Sequence, residues 1–416
     1  MPSAWTSRFA GRTQGLTSSA IRELLKLTQR PEIISFAGGL PAAEFFPLKR
    51  FEEAARRVLH DQGKCALQYS TTEGYLPLRE MVARHAARYG IKASPDMILI
   101  TTGSQQALDL LGKLFIDEGA PVLVERPSYL GALQAFKLYG PDFISLPLDD
   151  EGVQVDNLRT MMERQPSFAY VLPNFHNPAG VTLSAERRAT IVEEAARRAV
   201  PLVEDDPYGQ LRYDGDHLQS LYALDLERAG VDGGNVIYLS SFSKVMAPGL
   251  RLGWVIAPLE VIHRLVQLKQ GADLHSSTLD QMIAFEIAHE GFLDEHILRL
   301  RDGYRERRDA MLAALDHHFP EEADWTRPTG GLFLWLKLPP GINSERLVER
   351  ALERGVAFVP GTAFYADGED GLGCGRLNFS CSPPDQIEEG IRRLAAVLEE
   401  EMARLHETPP ANLHPV

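Results

Sequence analysis

Lys244 sits in SFSKVMAPGLRLGW (Ser241–Trp254) among hydroxyl and apolar residues instead of other charges. Placed after a buried strand, such an amine is poorly hydrated, its pKa falls, and the neutral form can attack an aldehyde. An isolated S-x-S-K would read as a surface lysine in a serine-rich loop. Here Gly249 and Gly253 bracket Arg251, seven residues after the lysine, so a guanidinium can fold back toward the same place. Its planar donor fork suits a phosphate dianion. Thr102–Gln106 (TGSQQ) offers that anion further donors. A strand–Gly–Ser–helix junction leaves backbone N–H groups free at the helix start. The Gly103 and Gln105 amides and the Ser104 hydroxyl would complete a cradle, although Ser104 reads equally well as an ordinary N-cap.

Glu204–Tyr208 (EDDPY) puts carboxylates at a strand end, where they are costly unless paired. A pyridinium nitrogen is one such partner: a carboxylate beside it keeps the nitrogen protonated, so the ring can take electrons from a substrate carbanion. Capping the following turn is the other role open to these acids. In Asn174–Gly180 (NFHNPAG), Asn177 can donate to a phenolate oxygen or simply make an Asn-Pro turn.

The elements that must position these residues are short apolar runs alternating with helical patterns, as in βαβ units around a parallel sheet. Met97–Thr101, Val122–Glu125, Phe168–Leu172, Leu202–Asp205 and Ile237–Leu239 read as strands, each ending in polar residues. Their continuous hydrophobicity is that of strands buried on both faces. QQALDLLGKLFI reads as a helix, with Leu108, Leu111 and Phe115 at helical spacing. Ligands of open parallel sheets bind outside the carboxyl ends of the strands, which is where TGSQQ, ERPSY, NFHNPAG, EDDPY and SFSK fall. From about residue 310 a second, smaller α+β unit is predicted. Gly330–Leu338, Gly355–Gly361 and Cys374–Ser380 are its strands, and SERLVERALERG and PDQIEEGIRRLAAVLEEEMARL its helices. The tail HETPPANLHPV has no periodicity and reads as mobile.

At 416 residues the chain can bury a sizeable core in two packed domains. Its 44% hydrophobic and 24% charged residues are those of an ordinary globular protein. A net charge of −14 argues against a nucleic-acid surface. Three cysteines, Cys65, Cys374 and Cys381, without CxxC spacing suit a reducing cytosol and fit neither a disulfide framework nor a zinc site. No stretch is apolar enough for a signal peptide or a membrane span. The reading is a soluble, cytoplasmic protein without a metal.

Taken together, TGSQQ, NPAG, D-x-x-Y, SFSK with an arginine seven later, and RLNF near the C-terminus resemble the class I/II, fold-type I pyridoxal-phosphate aminotransferases. IRELLKLTQRPEIISFAGGLP, QYSTTEGYLPLR, GSQQALDL, RPSYLGALQAF and LKQGADLHSST are similar to the 2-aminoadipate and kynurenine aminotransferase subgroup, and the likeness runs from about residue 18 to about 400. It implies an α/β fold with a large domain (51–305), whose mostly parallel sheet lies between helices, and a small α+β domain (306–405). An N-terminal arm (1–50) would pack on the small domain, leaving 406–416 as the tail. It also implies that Lys244 holds pyridoxal 5'-phosphate covalently and moves a proton between the substrate Cα and the cofactor. Asp205 would pair with the pyridine nitrogen, Asn177 and Tyr208 would contact the phenolate oxygen, and Tyr129 would stack on the ring. Gly103, Ser104, Gln105, Ser241, Ser243 and Arg251 would surround the phosphate, joined by Tyr69 from a neighbouring subunit of a homodimer. Arg376, helped by Asn177 and the backbone at Gly39, would hold the substrate carboxylate. The sequence departs from the family's pattern in Pro207, in NPAG for NPTG, and in His176, which reads as a loop or core histidine.

The expected reaction is transamination from an L-amino acid to a 2-oxo acid such as 2-oxoglutarate. A β-lyase, racemase or decarboxylase could use the same residues. A non-enzymatic regulator would carry an aminotransferase-like domain behind a DNA-binding one, for which a pattern beginning near residue 18 leaves no room. In SSAIRELLKL, a helix capped at Ser18 or Ser19, Ile21, Leu24, Leu25 and Leu27 form the apolar face and Arg22 lies off it. The resemblance implies that Arg22 can meet a substrate's distal carboxylate from a movable lid.

Overall fold

The computed structural model describes residues 5–13, 30, 32–230, 234–368 and 370–407. The SSAIRELLKL helix with Arg22, and most of the C-terminal tail, lie outside the described residues.

The first strands in chain order are β1 (Ile34–Ser35), β2 (Ile98–Thr101), β3 (Pro121–Arg126), β4 (Asp142–Asp149), β5 (Gly152–Val153), β6 (Ala169–Val171), β7 (Leu202–Asp205), β8 (Val236–Ser241) and β9 (Gly253–Ile256). Eight of them form the large sheet in the order β2-β9-β8-β7-β6-β3-β4-β5. From β8 through β7, β6 and β3 to β4 the pairing is parallel, while β9 runs antiparallel to both β8 and β2. Every residue of β6, β7, β8 and β9 is buried, so these short strands carry no polar face. Their polar groups collect at their ends, and the parallel pairing brings those ends to one edge.

β4 was not among the predicted strands. Its burial alternates along most of its length instead of being continuous, because it lies toward the edge of the sheet with only the two-residue β5 beyond it. β9 was also missed, since its four residues follow the Lys244 loop after only a short excursion.

The remaining strands are β10 (Asp324–Trp325), β11 (Phe333–Lys337), β12 (Val356–Ala357), β13 (Val359–Pro360) and β14 (Cys374–Asn378). β10-β11-β14-β13 form an antiparallel sheet, and β12 pairs in parallel with β1. Gly355–Gly361, expected as one strand, therefore serves two sheets and changes between them at the fully buried Phe358. The helices Ser344–Glu353 and Pro384–Glu407 match the expected C-terminal pattern. A small apolar cluster of Ala37, Ala179, Trp335, Ala357, Val359 and Phe364 joins the β1 segment, the NPAG turn and the small sheet. Among the described residues no helix is long and apolar enough to cross a membrane.

Candidate active site

The three acids that end β7 are separated by their partners. Glu204 accepts the Leu221 and Tyr222 amides at 3.0 and 2.8 Å, at the start of the helix Leu221–Ala229. Asp206 accepts from Asn174 Nδ2 at 3.0 Å, from the Gly209 amide at 2.8 Å and from the Tyr238 hydroxyl at 3.3 Å. Asp206 thus caps the following turn through Gly209, while Glu204 holds a helix start farther along the chain. Among the described residues, Asp205 accepts one hydrogen bond, from the Tyr170 hydroxyl at 2.7 Å to Oδ2, while its buried Oδ1 has no partner. Burial pushes its carboxyl up to about 7, with Asp206 and Glu125 adding to the rise and Tyr170 opposing it. A carboxylate so placed lacks a cationic donor, and a protonated ring nitrogen is one.

Asp205 faces a cavity of about 430 Å³ that Lys244 also lines. The amine follows β8 and donates to the Gly39 carbonyl at 2.6 Å. Burial pulls it down to about 8, with the Arg376 and Arg251 guanidinium groups adding to the fall. A substantial neutral fraction at ordinary pH is what nucleophilic attack requires. Tyr208 lies beneath it, the ammonium nitrogen 5.9 Å from the ring centre. Asn177 Nδ2 donates to the Tyr208 hydroxyl at 3.4 Å, and Asn177 Oδ1 accepts from Arg376 at 2.9 Å.

Arg376, on β14, is buried between the rings of Phe333 and Phe364, with centres 4.4 and 5.0 Å away. Its second terminal nitrogen donates to the Ala37 carbonyl at 2.7 Å, and Nε has no partner among the described residues. Burial lowers its pKa to about 10, leaving it charged at neutral pH. A desolvated guanidinium with an unused donor is suited to a carboxylate.

At the opposite end, Gly103 turns the chain with φ of 74° and caps the helix Ser104–Phe115. Its own amide donates to the Thr101 carbonyl at 2.8 Å, so the free donors are those that follow it. Ser104 is the first helical residue, not the N-cap, and its buried hydroxyl is unpartnered among the described residues. A side chain at Gly103 would meet the Arg251 guanidinium at 2.7 Å, and one at Gly253 would meet the Ser104 amide nitrogen at 2.8 Å. β9 and Arg251 thus press against the first turn of the helix, as the glycine-flanked arginine led one to expect.

The cavity brings together Gly39, Ser104, Gln105, Tyr129, Asn177, Asp205, Tyr208, Ser241, Ser243, Lys244, Arg251 and Arg376. Tyr69 is not in it: the side chain is 80% exposed and meets His275 edge-on at 5.9 Å. His176 is buried; its Nδ1 accepts the Ala179 amide at 3.2 Å and its Nε2 lies 3.1 Å from Glu125, so it shapes the turn that carries Asn177. Sequence reasoning missed Tyr170, although a tyrosine on a fully buried strand signals a hidden hydrogen-bond partner. It also missed Cys381, whose thiol donates to the Leu40 carbonyl at 2.9 Å beside the Lys244 contact, and the two phenylalanines that enclose Arg376.

A lysine poised for an aldehyde, an unpaired buried carboxylate and a donor-rich helix start define the class of a pyridoxal-phosphate enzyme. The sequence matches the family "Aminotransferase class I and II" over residues 32–394, and the chain belongs to it. It is 49% identical to a 2-aminoadipate transaminase of Thermus thermophilus over 96% of this chain and 98% of that one. An aromatic-amino-acid aminotransferase of Thermococcus litoralis is 45% identical over 95% of each. The crystal structure of an alpha-aminoadipate aminotransferase from Thermus thermophilus, complexed with N-(5'-phosphopyridoxyl)-L-leucine, superimposes with a TM-score of 0.90 at 46% identity. That match covers 96% of this chain and all of the other. The chain is a pyridoxal-phosphate-dependent aminotransferase of fold type I.

Proposed function

We propose that the enzyme moves the amino group of an L-amino acid to a 2-oxo acid such as 2-oxoglutarate in two alternating half-reactions. Its donors are of the 2-aminoadipate, glutamate, leucine or aromatic type. The observation that carries this reading is one cavity holding Lys244, the unpaired Asp205 oxygen and the half-used Arg376 fork. When bound, pyridoxal 5'-phosphate withdraws electrons from the substrate Cα. Arg376 binds the α-carboxylate common to donor and acceptor, and Asn177 orients that guanidinium. Lys244 anchors the cofactor and carries the proton to and from the substrate Cα. Asp205 holds a proton on the ring nitrogen, while Asn177 and Tyr208 donate to the phenolate oxygen. Tyr129 covers the ring, and Gly103, Ser104, Gln105, Ser241, Ser243 and Arg251 surround the phosphate. The chain divides into an arm (1–50), a cofactor-binding domain (51–305) and a small domain (306–405). Tyr69, exposed in one copy, reaches the phosphate site of the other in a homodimer.

Names of relatives that include aminoadipate and aromatic donors support a site open to both acidic and apolar side chains. Arg22 is assigned to the acidic ones. An amino-donor panel with 2-oxoglutarate, read by keto-acid and glutamate formation, tests the reading; keto acid without equimolar glutamate would indicate a lyase or decarboxylase. In the same panel Arg22→Ala is expected to weaken 2-aminoadipate and glutamate by about tenfold, through loss of a charge-assisted contact. Leucine should be unaffected, and equal losses for both classes would remove Arg22 from specificity.

A further inference from the structure

The second glutamine of TGSQQ has no place in the chemistry above. Gln105 lines the cavity and donates to the Gly131 carbonyl at 2.7 Å. Gln106 is engaged elsewhere. Its Oε1 accepts from Lys269 Nζ at 2.7 Å and from the Thr102 amide at 2.8 Å, and its Nε2 donates to Asp273 Oδ2 at 2.6 Å. Lys269, near the end of the helix Leu259–Gln270, has no exposed surface. Besides Gln106 it donates to both oxygens of Asp273, at 2.7 and 2.9 Å, and to the Ser276 hydroxyl at 3.1 Å. The Thr102 hydroxyl closes the network, donating to Asp273 Oδ2 at 2.8 Å and lying 2.9 Å from the Ser276 hydroxyl.

We propose that Lys269 is a positioning residue for the cofactor's phosphate: with Asp273 it clamps Thr102 and Gln106, fixing the turn whose next amides and Ser104 hydroxyl receive that group. This rests on the assignment of Ser104, Gln105 and Arg251 to the phosphate. Three considerations support it. The first amides of a helix have no partner within it, so where they point depends on how the preceding residues are held. Thr102 lies immediately before Gly103, and its backbone N–H and its hydroxyl are both tied to the network. The Lys269–Asp273 ion pair is buried only on the lysine side and reaches solvent at Asp273, so it adds little net stability, whereas a satisfied polar network selects one arrangement. All three Lys269 donor directions are used, so the lysine serves geometry better than it serves the core. Lys269 is no second nucleophile, since its ammonium is held by a carboxylate and two further acceptors.

Affinity measurements on the apoenzyme test the proposal, comparing pyridoxal 5'-phosphate with pyridoxal, which lacks the phosphate. Gln106→Leu and Lys269→Met are each expected to raise the dissociation constant for pyridoxal 5'-phosphate about tenfold, as loss of supporting hydrogen bonds around a bound group typically does. Pyridoxal binding should change less than about twofold, a difference well below the 1.4 kcal/mol of a tenfold step. A purely structural role would weaken both ligands alike or lower only the melting temperature, and either result overturns the proposal. Should Lys269→Met fail to fold, Gln106→Leu alone decides. Arg251→Ala separates the two levels of inference. If it selectively loses the phosphorylated ligand while Gln106→Leu does not, the positioning role falls and the phosphate assignment stands. If it too shows no selectivity, the phosphate assignment itself fails.

Discussion

Lys244 and Lys269 are both drawn out of water, and burial lowers the pKa of each. Among the described residues, Lys244 has one neutral acceptor, the Gly39 carbonyl, and two guanidinium groups near it. Lys269 has a carboxylate on one side and two further side-chain acceptors on the others. Burial therefore does not by itself make a lysine reactive. What separates the two is whether the protein supplies a counter-charge or leaves the amine beside an open cavity. The acids of β7 repeat the contrast: Glu204 and Asp206 are saturated by donors, and Asp205 keeps one oxygen bare. Reactive groups here are those that the fold leaves partly unsatisfied.

The largest effect that can break this contrast is Lys244→Ala. Removing both the anchor and the proton carrier should cut turnover by more than about a thousandfold, while cofactor still binds reversibly by dialysis. Wild-type-like turnover would end the assignment. The rate of covalent cofactor attachment to the apoenzyme should also report the amine. Below its pKa the lysine is protonated and unreactive, so the rate should rise with pH, bend near 8 and level off. A rise that continues to pH 10 would mean an ordinary lysine.

Asp205→Asn sharpens the comparison among the acids. An amide cannot hold a proton on the ring nitrogen, so kcat should fall about a hundredfold with the fold intact. Asp206→Asn should instead cost stability, about 1–3 kcal/mol in a denaturant titration, because the oxygen that accepts from the Tyr238 hydroxyl becomes a donor and the buried charge-assisted bonds from Asn174 and Gly209 weaken. Reversed outcomes would make Asp206 the ring's partner. Arg376→Lys should lower kcat/KM for every donor by about tenfold, since a point charge cannot reproduce the fork. A loss confined to one side-chain class would show that Arg376 reads the side chain.

The parallel strands were legible because burial on both faces forces continuous apolar runs, and polar residues crowding their ends point to the edge where ligands bind. TGSQQ and SFSK were legible for the same reason, each lying directly after such a run. β4 was not, since its alternating burial makes no continuous run. Nor was the division of Gly355–Gly361 between two sheets, which depends on partners far away in the chain. Side-chain allegiance was the least visible: nothing local to EDDPY says that Asp206 turns toward Asn174 and Gly209 while Asp205 turns toward Tyr170. Gln106 and Lys269, 163 residues apart, meet only through the fold.

The central claim is that an open cavity with no carboxylate in contact with the amine, and not burial, selects the reactive lysine. Borohydride reduction of the holoenzyme followed by peptide mapping tests it most directly. A pyridoxyl adduct on Lys244 alone is the result expected. An adduct on Lys269, or on the surface-paired Lys113, would contradict it.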